Sequence, residues 1–152
     1  MSKTDHAHHD LMLRCPATLH TVDDVDAALI RLLDTLGVTE RRFEMRIVCR
    51  EALLNAVIHG SDQHADRTIE IQIDADADAL QLRIADEGTG FLHTGTHHIP
   101  TAIADGGRGL PLMHHYSDEL MFNAAGNEVT MRFHFGGDPH HVTAPELEEN
   151  AP

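Results

Sequence analysis

The chain is expected to fold as an α+β two-layer sandwich, with helices on one face of a mixed, mostly antiparallel sheet. Three observations predict it. The elements read in the order helix, helix, strand, strand, loop, helix, strand, strand. The apolar period changes from helical to alternating between Gly60 and Ile69. The connections are short enough for antiparallel pairing.

Leu11-Met12-Leu13 reads as a short first strand, stopped by Pro16. Thr21, followed by Val22 and the acidic turn Asp23, Asp24 and Asp26, opens a first helix whose apolar positions Ala27, Leu29-Ile30 and Leu32-Leu33 recur until Gly37. Thr39 and Glu40 open a second helix, in which Phe43, Ile47, Val48, Leu54 and Ile58 can share one side and His59-Gly60 forms the C-cap. Ile69, Ile71 and Ile73, then Leu80, Leu82 and Ile84, alternate with polar residues as two half-buried strands joined by an acidic turn at Asp76 to Asp78. A loop from Gly88 to Gly109 carries six glycines, and its stretch 91–105 is long enough to serve as a lid. Leu110 to Tyr116 reads as a short helix, and Glu119 to Phe122 and Glu128 to Phe135 as strands. Met113, Met121 and Met131 are expected to fill the core.

At 152 residues the chain suits one domain. Polar, flexible ends are expected at 1–9 and 137–152, leaving 10–136 folded. Acidic residues number 25 against 11 basic ones, a net charge of -14 that repels nucleic-acid phosphates and anionic lipid alike. Neither nucleic acid nor a membrane is an expected partner. The polar start lacks a signal-peptide pattern, so a cytoplasmic protein is expected, with Cys15 and Cys49 as free thiols. The 14 histidines include pairs at His97-His98, His114-His115 and His140-His141, and solvated surface is the preferred reading over metal binding.

Chemistry concentrates in three clusters. Glu51, Asn55 and His59 stand at i, i+4 and i+8 on the second helix, a polar stripe in an apolar segment. A carboxylate and an amide oxygen one turn apart can hold Mg²⁺ directly or through water; a solvated helix face is the plainer alternative. Asp86-Glu87-Gly88-Thr89-Gly90 ends a strand, where an aspartate can accept from a nucleobase amino group and glycines let backbone approach a flat ring. A tight turn explains it equally well. Gly106-Gly107-Arg108-Gly109-Leu110 stands at a helix start, where inward N–H groups and the helix dipole can cradle phosphates, unless it is simply a flexible linker.

In this order and spacing, the three clusters resemble the Bergerat ATPase superfamily shared by gyrase and histidine kinases. Glu-Ala-Leu-Leu-Asn-Ala-Val-Ile-His-Gly and Gly-Gly-Arg-Gly-Leu-Pro-Leu-Met are similar to segments of bacterial anti-sigma-factor serine/threonine kinases, a resemblance spanning roughly residues 10 to 135. It implies the Bergerat ATP-binding fold and ATP and Mg²⁺ as cofactors. By the same resemblance Asn55 coordinates Mg²⁺, Asp86 reads the adenine amino group, Gly88 and Gly90 shape the base pocket, and Gly106, Gly107, Arg108, Gly109 and Leu110 wrap the phosphates. Glu51 is the implied catalytic carboxylate, acting on a serine or threonine of a small antagonist protein. A sigma factor or other regulator is the implied binding partner, and a homodimer through the first strand and helix the implied assembly. Some members carry a basic residue before the glycine pair, where this chain has Asp105, leaving Arg108 as the nearest cation. Two rival readings share the clusters: a detached histidine-kinase catalytic domain, and a nucleotide-gated binding module without phosphoryl transfer.

Overall fold

The computed structural model describes residues 8–60, 66–88 and 109–135. The expected lid at 91–105, the C-terminal tail at 137–152 and most of the expected N-terminal flexible segment lie outside them. Among the described residues, the elements are β1 (His9–Pro16), α1 (Leu19–Leu36), α2 (Arg42–Asn55) with a π-helical turn (Ala56–Gly60), β2 (Thr68–Ala75), β3 (Ala79–Ala85), α3 (Gly109–Tyr116), β4 (Glu119–Phe122) and β5 (Glu128–His134).

The five strands form one open sheet in the order β1-β2-β3-β5-β4. Every neighbouring pair is antiparallel, so the sheet is not mixed. Period and register together sort its two faces. Leu11, Ile73, Leu82, Met131 and Leu120 lie opposite one another in one row across the sheet. The neighbouring row, Met12, Gln72, Arg83, Thr130 and Met121, points the other way. The first face joins Leu29 and Leu33 of α1, Leu53 of α2 and Met113 of α3 in a single aliphatic core. Each such side chain, once fully buried, stabilises the fold by roughly 1.5–3 kcal/mol. The second face is polar, with Arg83 held between Glu70 and Glu128 at 2.9 Å each. Helices therefore cover one face only. That is the two-layer α+β arrangement expected from the element order.

Several local expectations shift. β1 runs from His9 through Pro16, because pairing with all of β2 extends it beyond its apolar centre. Helix α1 begins earlier than Thr21: Thr18 is its N-cap, with extended backbone and a hydroxyl accepting from Thr21 N at 3.3 Å. The Thr21 hydroxyl instead donates to Pro16 O at 2.6 Å. Gly37 ends α1 as read, in left-handed conformation at φ 68°. Helix α2 begins at Arg42, not at Thr39, and buries Met45, Val48, Cys49, Ala52 and Leu53. Phe43 is left 67% exposed at the helix tip, edge-on to Tyr116. Met113 and Met131 are buried, whereas Met121 stands on the outer sheet face and is exposed. Cys15 and Cys49 are both free, and burial pushes the Cys49 thiol up to about 12.

Candidate functional site

A cleft of about 550 Å³, its open mouth included, lies where the C-terminal part of α2 and its π-helical turn meet the ends of β3 and β5. Ala52, Asn55, Ala56, His59 and Gly60 line one wall. Ile84 and Asp86 form the floor at the end of β3, and Met113 of α3 joins them. The β4–β5 turn and the start of β5 close the far side with Gly126, Asn127 and Val129. The lining is apolar with a few fixed polar groups. Such a surface suits a flat ring whose edge must be read.

Asp86 is the most constrained of those groups. Its Oδ1 accepts from Gly88 N at 2.7 Å. Burial raises the carboxyl above its ordinary range, against the opposing pull of the Gly88 N–H and the Arg67 charge. A half-desolvated carboxylate of this kind gains from any further donor that enters the cleft.

Four supporting residues, Gly60, Asn127, Asn123 and Arg67, carried no signal strong enough to mark them as part of the site. A Cβ on Gly60 would fall 2.2 Å from Asp86 Oδ2, and one on Gly88 would fall 2.0 Å from Gly60 O. Gly60 is not among the positive-φ glycines, so it is glycine for close approach and not as the C-cap of α2. Asn127 donates from Nδ2 to Gly88 O at 3.1 Å, and its carbonyl accepts from Asp86 N at 2.9 Å. Asn123 steadies Asn127 in turn, donating to its Oδ1 at 2.7 Å. Arg67 reaches Gly60 O at 3.4 Å.

The predicted residues divide as follows. Asn55 and Asp86 face one cleft from separate elements, and Gly88 packs directly behind Asp86. Glu51 lies one turn before Asn55 on α2, half-buried and outside the cleft lining. Gly109 and Leu110 are the first residues of α3. Gly90, Gly106, Gly107 and Arg108 lie outside the described residues. Among the described residues, no group of three or more His, Cys, Asp or Glu side chains is placed to hold a metal ion, and no helix is long and apolar enough to cross a membrane.

The sequence profile of the histidine kinase-like ATPase domain matches residues 15–133. The chain is also 29% identical over 99 residues to the anti-sigma F factors of Bacillus thuringiensis (strain Al Hakam), Bacillus cereus (strain AH187) and Bacillus anthracis (strain A0248). The aligned stretch covers 62% of this chain and 66% of each relative.

Proposed function

The chain belongs to the histidine kinase-like ATPase domain family, and from that membership we propose that it is an ATP-dependent serine/threonine protein kinase of the anti-sigma-factor type. In this reading it binds a sigma factor or other regulator and phosphorylates a small antagonist protein, in the cytoplasm and as a homodimer. The observation that carries the nucleotide half is Asp86, a half-buried carboxylate locked by Gly60 and Gly88 at the floor of a mainly apolar cleft. An adenine amino group supplies the donor that this carboxylate lacks. The anti-sigma F factor relatives support the partner half.

Asn55 faces the cleft from α2, where its amide oxygen suits a hard cation held mainly by phosphate oxygens and water. Asn55 would help hold Mg²⁺ there, and the ion would supply charge to offset that of the nucleotide phosphates. Gly88 and Gly90 are assigned to the base pocket, and Gly106, Gly107, Arg108, Gly109 and Leu110 to the phosphates. Glu51 is assigned to the acceptor. Its place on α2 outside the cleft lining suits a carboxylate that meets a hydroxyl brought by a second protein, whose proton it accepts or orients.

The same position of Glu51 favours one second reading, a nucleotide-gated binding module that transfers nothing. Two substitutions separate the readings. Asn55→Ala is expected to weaken Mg-ATP binding and abolish transfer together. Glu51→Gln is expected to leave binding intact while transfer to the antagonist falls by roughly 10²-fold or more. Calorimetry follows binding, and γ-phosphate radiolabel on the verified partner follows transfer. A wild-type protein that binds ATP and partner but never labels it, with Glu51→Gln behaving identically, sinks the kinase reading.

A further inference from the structure

Arg41 is the one non-glycine residue with positive φ among the described residues, at φ 58° and ψ 18°. A left-handed backbone presses Cβ against the following carbonyl, and it persists only where the surroundings impose it. Here the guanidinium imposes it. Nη2 donates to the carbonyl of Tyr116, the last residue of α3, at 2.7 Å. Nη1 donates to Asp118 at 2.5 Å and to His134 O at 3.2 Å. The guanidinium carbon also lies 5.5 Å from the centre of the Phe133 ring. Asp118 accepts in turn from His134 N at 2.6 Å, and its own N–H donates to Arg132 O at 2.8 Å. One side chain thus ties the start of α2, the end of α3, the connection to β4 and the end of β5. None of these groups lines the cleft.

The knot nevertheless bears on the cleft through helix geometry. The start of α2 meets the end of α3 at Arg41, while Asn55, at the other end of α2, lines the cleft beside Met113 of α3. The two helices therefore run antiparallel. An eight-residue helix is a rigid rod about 12 Å long, so the axial position held at Tyr116 is also the axial position of Gly109. A cation on the last carbonyls is also the favoured partner of that helix end.

We infer that Arg41 is a positioning residue for the phosphate side of the nucleotide site: it latches the far end of α3 and so sets Gly109 in register with Asn55. The inference rests on the nucleotide reading above. Asp86, Gly60 and Asn127 are fixed by β3, the π-helical turn and the β4–β5 turn, so the polar groups of the base side do not depend on the latch, and Met113 is the one α3 residue in the cleft lining.

Arg41→Gly keeps the left-handed backbone without strain and removes only the guanidinium. Calorimetric titration of the full chain with Mg-ATP and separately with adenosine is expected to show Mg-ATP affinity about tenfold weaker, the loss of roughly one charge-assisted contact, with a much smaller change for adenosine, which meets α3 only through Met113. Arg41→Lys restores a charge that can reach one partner but not bridge several, so it recovers part of the loss. Asp118→Asn loosens the same knot without touching α2, and it is expected to give a smaller loss, again mainly for Mg-ATP. It decides the matter if Arg41→Gly fails to fold. Equal losses for both ligands, or none for either, overturn the inference while leaving nucleotide binding standing. A wild-type protein that binds neither ligand overturns both.

Discussion

Asp86 shows how one side chain can be a liability to the free fold and an asset to its function. Because its folded pKa is raised, the stability it contributes is present below its unfolded pKa and lost as pH rises through the folded one. Once ionised, Asp86 is therefore a half-buried charge that the free protein carries at a cost. Asp86→Asn keeps an oxygen for the Gly88 N–H and removes that charge. The variant is expected to melt higher than wild type at neutral pH, with the difference shrinking toward acid in calorimetric scans. Nucleotide affinity moves the opposite way, falling by roughly 1–3 kcal/mol because an amide presents a donor to the adenine amino group. In the wild type, affinity should fall as pH drops through the raised pKa of Asp86. Asn55 was legible as a polar residue in an apolar helical pattern, and Asp86 as the aspartate of an Asp-x-Gly-x-Gly run at the end of a strand. Gly60, Arg67 and Asn127 were not, since their roles come from chain segments that approach only in the folded state.

Among the elements, the strands were the most legible, because alternation and burial are the same fact on a sheet with one covered face. Helix boundaries were less so. Two threonines compete to cap α1, and only the bond from Thr21 to Pro16 decides between them. The start of α2 has no side-chain cap at all, and its position follows from the distant partners of Arg41. That shift explains why the two phenylalanines at opposite ends of the burial scale should differ in worth. Phe133→Ala removes a fully buried ring from β5 and is expected to cost about 3–5 kcal/mol in urea denaturation. Phe43→Ala loses little beyond an edge contact with Tyr116 and is expected to cost about 1 kcal/mol or less.

At the scale of the whole molecule, element order indicated the two-layer class, but strand direction carries no signature in apolar period. Among the described residues every strand pair is antiparallel, where a mixed but mostly antiparallel sheet was expected. β1 is an edge strand, which makes it the natural seam of the proposed homodimer. With a net charge of -14 on each copy, association along that seam should tighten as salt screens the repulsion. Light scattering that reports a monomer at high protein concentration and high salt would exclude it. The same strand also shapes how the chain is made. β1 pairs residue for residue with β2, yet both α1 and α2 are synthesised between them. Its first partner emerges on the order of several seconds after it at ordinary translation rates. For that interval the β1 segment has no partner strand of its own, and the charges of Asp10 and Arg14 along it disfavour pairing with neighbouring polypeptides.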